Sequence, residues 1–366
     1  MIAPLARPGP ALKPLGDKAS PDRRPTRAIV LSIAVLATIF LAVGIWVSWH
    51  MGSKVDWSAR VLSTLPAMLL LGFGSYGFRF LRWHGLARRV APNLGWWDSL
   101  RIYMAGFSLG LTPGRLGEFL KFSLLRDVSG VSELESVSIL PLERATEATS
   151  FFLVALTGAV LGHLQVRHVG LATIAAICLL PCLAALPIAL RLLLKRRASA
   201  TDNPTSYTYR LQQILRGLLS IAGIRSVGLA VLCALIARSC DAVLFWLATR
   251  TVDLSIPLAG AALAWGLAGL VGGLSLLPAG VGAVEASLVA TVVGLGGDGA
   301  YALAAALLAR LVTLWIWVPA GLWFAFRGMG TGEAGAVGTA ATDLAITPLM
   351  AVADHVGRVA VGGSSR

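Results

Sequence analysis

The chain has 366 residues, of which 56% are hydrophobic and 13% charged, about half the charge of an ordinary soluble domain. Apolar runs long enough to cross a bilayer recur between residues 28 and 326, which excludes a soluble globular protein. The runs are continuous and rich in Ala, Leu and Val, unlike the short alternating segments of a membrane β-barrel. The sequence therefore predicts an all-α polytopic membrane protein.

The net charge of +13 arises from 31 Lys and Arg against 18 Asp and Glu. Most of the basic residues lie in segments that we expect on the cytoplasmic side, and Arg79, Arg82 and Lys121 are placed in that set. This bias follows the positive-inside rule and predicts two cytoplasmic termini in the cell membrane. Because topology accounts for the basicity, anionic lipid headgroups are expected around the chain and no nucleic-acid partner is expected.

The first half of the chain is predicted to form one membrane repeat. Residues 1–27 contain six prolines and a basic excess, which is typical of a disordered cytoplasmic tail. The repeat covers 28–164, with spans at 28–50 and 61–82, a hairpin at 96–126 and a long helix at 132–164.

The second half is predicted to repeat this order. It covers 165–327, with spans at 168–192, 227–249 and 300–326, a cytoplasmic loop at 193–226 and a hairpin at 258–296. Residues 328–366 read as a flexible cytoplasmic tail. In total we expect about six full transmembrane helices and two broken or re-entrant hairpins.

Prolines and glycines interrupt both hairpins. The predicted helix breaks are Pro113, Gly114, Gly117, Pro278, Gly280 and Gly282. The arm from Arg115 to Arg126 would be about 18 Å long, which is too short for a hydrocarbon core of roughly 30 Å. The first hairpin is therefore expected to be re-entrant, whereas 258–296 is compatible with a re-entrant hairpin or with two full crossings.

The two breaks align with one another. Matching Ser, Pro, Glu and Arg positions in the two halves are separated by 165 to 167 residues. The charge bias makes the hairpins enter from opposite sides, which predicts inverted repeats. Inverted repeats with broken helices are typical of alternating-access transporters.

Nine ionisable residues are predicted at membrane depth, where each costs about 2.5–3.5 kcal/mol if it stays unpaired. They are Arg115, Glu118, Glu143, Arg144, Glu147, Arg238, Asp241, Glu285 and Arg310. Arg115/Glu118, Arg144/Glu147 and Arg238/Asp241 are spaced i,i+3 on one helix face, and such pairs can be purely structural bridges. We assign that structural role to Arg238/Asp241, because this pair lies in neither broken segment.

The other seven residues are predicted to bind substrate. Glu118 and Glu285 follow the two breaks and are expected to approach each other, with Arg144 and Arg310 behind them. Arginine binds phosphate bidentately, and the N-terminus of a half-helix adds N–H donors to the same anion. A phosphate-containing membrane lipid is thus the expected ligand. No metal, cofactor or catalytic residue is predicted.

The motifs together resemble a known family. The segments Pro113–Glu118 (PGRLGE), Leu142–Glu147 (LERATE), Leu277–Glu285 (LPAGVGAVE) and Leu308–Arg310 (LAR) are similar to the flippase-like transmembrane region of lysylphosphatidylglycerol synthases. The resemblance implies translocation of an aminoacylated phospholipid. The full-length synthases also have a soluble aminoacyl-transfer domain, and this chain is expected to be a stand-alone member without it.

The resulting hypothesis is a flippase-like transporter, not an enzyme. It would move an anionic or aminoacylated phospholipid, or a polyprenyl-phosphate-linked lipid, between leaflets. The alternative is a membrane enzyme or subunit of a lipid-phosphate-dependent glycosyltransferase system. A lipid-modifying synthase or a glycosyltransferase is the expected protein partner.

The topology can be tested by cysteine labelling of intact cells. In a variant without the native cysteines, we expect Ala200→Cys to stay unlabelled by an impermeant reagent, because it lies in the cytoplasmic loop. Ser255→Cys, in a loop predicted to face outward, should be labelled. Labelling of residue 200 from outside would contradict both the topology and the inverted repeat.

Overall fold

A computed structural model gives the fold of the chain. It describes residues 57–109, 116–162, 216–275 and 277–328, together with residue 214 and a few residues between 35 and 46. Within these ranges the regular structure is helical, with no strand. The predicted tail 1–27, the span 168–192 and the break at Pro113 and Gly114 lie outside the described residues, as do most of the span 28–50, the loop 193–226 and the tail 328–366.

Ten α-helices are described from residue 57 onward. They are α1 (Trp57–Val90), α2 (Trp96–Leu109), α3 (Leu116–Ser129), α4 (Glu133–Val137), α5 (Ile139–Leu161), α6 (Ile224–Thr251), α7 (Leu258–Leu274), α8 (Ala283–Gly294), α9 (Gly299–Arg310) and α10 (Trp317–Gly328). Residues 216–221 add a short helical turn before α6.

Three stretches among the described residues are long and apolar enough to cross a membrane. They are Arg60–Val90, Ile224–Thr251 and Gly299–Phe324. Each overlaps one of the predicted spans, which confirms a helical membrane protein. The first is longer than the predicted span 61–82, because the helix continues through the basic stretch that ends at Arg89.

The predicted helix 132–164 is divided in two. Ser132 and Glu135 cap the start of α4 reciprocally, with Ser132 Oγ accepting from the Glu135 amide at 3.2 Å. Pro141 lies in the first turn of α5, and its missing N–H cannot reach the carbonyl of Val137. The chain therefore turns at Ser138 before it continues as α5.

The break in the second hairpin has a left-handed backbone. Ala279, Gly280 and Gly282 have φ of 48°, 67° and 88°, in a region that favours glycine. A three-residue 3₁₀ turn, Pro278–Gly280, separates the two arms. The arm α7 has 17 residues and α8 has 12, which gives lengths of about 26 and 18 Å.

The last predicted span, 300–326, also contains an irregular turn. Residues Leu311–Trp315 form a π-helix between α9 and α10, in which the Ile316 amide donates to the Leu311 carbonyl at 3.0 Å. Pro319 has no N–H for the carbonyl of Trp315, which disfavours an uninterrupted α-helix here.

Small residues allow close packing of the second hairpin. A Cβ atom added at Gly266 would lie 2.6 Å from the backbone of α5, and one at Gly269 would lie 2.0 Å from the Phe151 ring. A Cβ at Gly158 of α5 would meet the backbone of α7 at 2.5 Å. These glycines bring α5 and α7 into direct backbone contact, as small residues do in membrane helix pairs.

Two glycines of α7 provide a matched test of this packing. We expect Gly266→Ala to lower stability by about 1–3 kcal/mol, because the added methyl group overlaps the α5 backbone. Gly273→Ala adds the same atom where nothing lies within 4 Å, so it should be neutral. Melting midpoints of the two variants in detergent check this, and equal midpoints would argue against the close contact.

Candidate functional site

The two hairpins and the helices α1, α5 and α6 enclose a cavity of about 530 Å³, a volume typical of ligand sites. Six basic side chains line it: Arg79, Arg82, Lys121, Arg144, Arg238 and Arg310. Apolar side chains line it as well, among them Trp265, Leu270, Leu274 and Leu314. The cavity thus presents both charged and apolar side chains to a ligand.

A chain of alternating charges connects three helices along one side of the cavity. Arg144 donates to Glu147 at 2.9 Å, and the other carboxylate oxygen of Glu147 accepts from Arg238 at 2.7 Å. Arg238 also donates to Asp241 at 3.0 Å, and the same Asp241 oxygen accepts from Arg79 of α1. This chain contains three cations and two carboxylates, so it is positive overall and both of its ends are arginines.

A second cluster lies beside it. The ammonium of Lys121 contacts both carboxylate oxygens of Glu143, at 2.9 and 3.1 Å, and lies 4.5 Å from the centre of the Trp83 ring. The nearest guanidinium nitrogen of Arg82 is 3.8 Å from Glu143. Two cations therefore share one carboxylate, and all three side chains are at least nine-tenths buried.

Gly106 of α2 allows Lys121 to reach Glu143. A Cβ atom at this position would lie only 1.9 Å from Cγ of Lys121, so even alanine would displace the lysine stem. The local sequence of α2 thus positions a side chain that belongs to α3.

The second break is held by a separate ion pair. Arg310 Nε donates to Glu285 at 2.7 Å, and its Nη2 donates to the Ala279 carbonyl at 3.0 Å. The other oxygen of Glu285 accepts from the Gly282 amide at 2.6 Å, so this carboxylate also caps the first turn of α8. Both oxygens of Glu285 therefore accept a hydrogen bond, one from Arg310 of α9 and one from Gly282 in the hairpin.

Six of the seven predicted substrate-binding residues lie in described helices. Glu143, Arg144, Glu147 and Arg310 line the cavity, and Glu285 lies behind Arg310. Gly117 and Glu118 are in α3. The side chain of Glu118 is not among the described parts of the structure, so its expected approach to Glu285 stays a prediction. Arg115 lies outside the described residues altogether.

Three cavity residues were not predicted to belong to the site. Arg79, Arg82 and Lys121 were grouped only with the cytoplasmic basic residues, whereas their side chains line the cavity and are only 13%, 4% and 6% exposed. The charge bias indicates on which side of the membrane a segment lies. It does not indicate which face of a helix is buried, so it does not separate these residues from Arg88 or Arg89. The i,i+3 spacing of Arg79 and Arg82 was an available signal, because it places both on one face of α1.

The described charges of the site do not balance. Six cations line the cavity, whereas the carboxylates that contact them are Glu143, Glu147, Asp241 and Glu285. The described part of the site therefore carries an excess of two positive charges. In a medium of low dielectric such an excess favours an anion.

Comparison with known proteins agrees with the resemblance seen in the sequence. Residues 28–321 match the family model described as the lysylphosphatidylglycerol synthase TM region, which confirms that resemblance. The family indicates a membrane protein of lipid metabolism or transport. No curated protein matches the chain.

Two aspartates that pair with arginines of α1 allow a matched test of the charge chain. Asp241→Asn should destabilise the protein by about 3–5 kcal/mol, because it leaves Arg79 and Arg238 buried without their shared counter-charge. Asp253→Asn removes the partner of the exposed Arg60 and should cost about 0–1 kcal/mol. Unfolding midpoints in detergent check this, and similar losses for both variants would contradict the proposed importance of the buried pair.

Proposed function

We propose that this chain, which belongs to the lysylphosphatidylglycerol synthase TM region family, translocates a phosphate-containing lipid between membrane leaflets. The single observation that carries the proposal is the cavity, whose lining combines six cations with apolar side chains. A lipid has the same combination, with a charged headgroup joined to hydrocarbon.

The apolar lining supports a lipid over a water-soluble anion. Leu274 lines the cavity and is 74% exposed. In a membrane such an exposed leucine contacts acyl chains, because hydrocarbon takes the place of water there. An acyl chain could therefore follow these apolar side chains while its headgroup stays at the cations.

Arg144 and Arg310 are the proposed phosphate ligands. Both line the cavity, and the side chain of Arg144 is 38% exposed. Glu143, Glu147 and Glu285 would hold these and neighbouring cations in place. Arg115 and Glu118 belong to the same proposal through their position after the first break.

Alternating access is the proposed mechanism. The second hairpin supports it, because its arms of about 26 and 18 Å are shorter than a hydrocarbon core of roughly 30 Å. Helices broken at mid-membrane next to the ligand site are typical of inverted-repeat transporters. The count of six full spans, the inverted repeat and the re-entrant form of both hairpins are parts of this proposal.

The proposed setting is the cell membrane, with both termini in the cytoplasm. The chain would receive its lipid from a synthase or glycosyltransferase and would add no chemical step of its own.

Purified full-length protein in liposomes tests the function. We expect protein-dependent exchange of a fluorescently labelled anionic phospholipid between leaflets, with the lipid recovered chemically unchanged. Protein-free liposomes control for spontaneous exchange. Recovery of a modified lipid would instead favour the glycosyltransferase alternative, and the absence of exchange for all phosphate lipids would contradict the proposal.

The two proposed phosphate ligands can be tested by conservative substitution. Arg144→Lys and Arg310→Lys should each reduce lipid exchange by about ten-fold, because lysine keeps the charge and loses the planar fork. Arg101→Lys, at an exposed position of α2, is the matched control and should exchange lipid normally. Unchanged exchange in both cavity variants would assign these arginines a structural role.

A further inference from the structure

We infer that Arg82, together with Lys121, forms a subsite for a dianionic phosphomonoester on the lipid headgroup. The inference rests on the proposed function and deepens it, because it names a headgroup class and a binding residue that the sequence analysis did not place in the site. It also differs from the family expectation of an aminoacylated lipid, whose added amino group is a cation.

The first observation is that the buried side chain of Arg82 has unused hydrogen-bond donors. Its side chain is 4% exposed and lines the cavity, yet its Nε and Nη1 have no hydrogen-bond partner in the structure. Its nearest carboxylate, Glu143, is 3.8 Å away, beyond hydrogen-bond distance. A buried guanidinium with unused donors is costly unless an anion completes its environment.

The carboxylate near Arg82 is already occupied. Both oxygens of Glu143 accept from Lys121, at 2.9 and 3.1 Å. By contrast, Arg238 contacts two carboxylates, and Arg310 contacts Glu285 and a backbone carbonyl. Arg79 and Arg238 each have an Nε without a partner, but both donate other nitrogens to carboxylates. Among the described cavity cations, Arg82 has the most unused donors.

The charge balance of the described residues is the second observation, and Arg82 contributes to it. The described site has an excess of two positive charges over its carboxylates. A phosphomonoester carries about −1.5 to −2 charges at pH 7, so it matches the excess better than a phosphodiester.

The same balance disfavours an aminoacylated headgroup. An added ammonium would bring a further positive charge to a cavity that six cations already line. Among the described residues, the carboxylates that could receive it are each engaged by arginine or lysine. The structure therefore supports a headgroup that ends in phosphate.

The first test uses the parent protein alone. Phosphatidic acid, a phosphomonoester, and phosphatidylmethanol, its methyl diester, differ by one methyl group and about one charge. Native mass spectrometry of the full chain in detergent gives an apparent dissociation constant for each lipid. We expect phosphatidic acid to bind about ten-fold more tightly, the effect of one charge-assisted contact. Equal binding of the two lipids would overturn the inference.

The second test removes the guanidinium. Arg82→Gln should abolish the preference for phosphatidic acid, so that both lipids bind as phosphatidylmethanol binds to the parent. Arg88→Gln removes the same charge from an exposed position on the same helix and should retain the preference. A preference that survives Arg82→Gln would overturn the assignment to Arg82. If this variant does not fold, the comparison in the parent protein still decides the headgroup class.

Two further comparisons complete the experiment. The first distinguishes a lipid phosphate from free phosphate, and the second distinguishes this inference from the proposed transport. Binding of inorganic phosphate as tightly as phosphatidic acid would overturn the assignment to a lipid. Weaker binding by at least ten-fold would support it. Leaflet exchange without a monoester preference would overturn this inference and leave the proposed transport intact. A monoester preference without exchange of any lipid would contradict transport while the binding site stands.

Discussion

The contact on which the site depends is the buried guanidinium of Arg238. It donates to Glu147 on α5 and to Asp241 on its own helix, and Asp241 in turn accepts from Arg79 on α1. Its planar face lies 4.4 Å from the Phe151 ring, so packing and charge fix it together. Because separating such ions inside a membrane protein is costly, these contacts hold α1, α5 and α6 at one spacing. The cavity is the space that this spacing leaves.

Close packing positions α5, the helix that carries three of the charged residues of the site. The glycines at 158, 266 and 269 bring α5 and α7 nearly to backbone contact, although α7 itself has no ionisable residue. Gly106 leaves room for the Lys121 side chain, which reaches Glu143 of α5. Small residues therefore fix where α5 lies, and ion pairs join that helix to α1, α3 and α6.

The features that depend on local spacing could be predicted from the sequence. The apolar runs predicted a helical membrane protein, Pro278 and its neighbouring glycines predicted the second break, and the i,i+3 rule predicted contacts such as Arg144 with Glu147. Features that depend on which helix face is buried were missed. Arg82 and Arg88 are both arginines of one helix, and only the packing of α1 against the other helices separates a buried cavity residue from an exposed one. The division at Pro141 and the π-turn before Pro319 were also missed, although the prolines themselves were visible.

The irregular turn after Arg310 connects the second break to the helix that carries Arg82. In a π-turn the carbonyls are displaced from their α-helical partners. Here they accept hydrogen bonds from side chains instead. The Thr313 carbonyl accepts from the Tyr76 hydroxyl of α1 at 2.7 Å, while Arg310 itself holds the Ala279 carbonyl in the break. Tyr76 lies one turn before Arg79 on α1. The second hairpin cannot shift relative to α1 without breaking this path of short contacts. Because the path ends on the helix that supplies two of the six cavity cations, the position of the break and the shape of the anion site are mechanically linked.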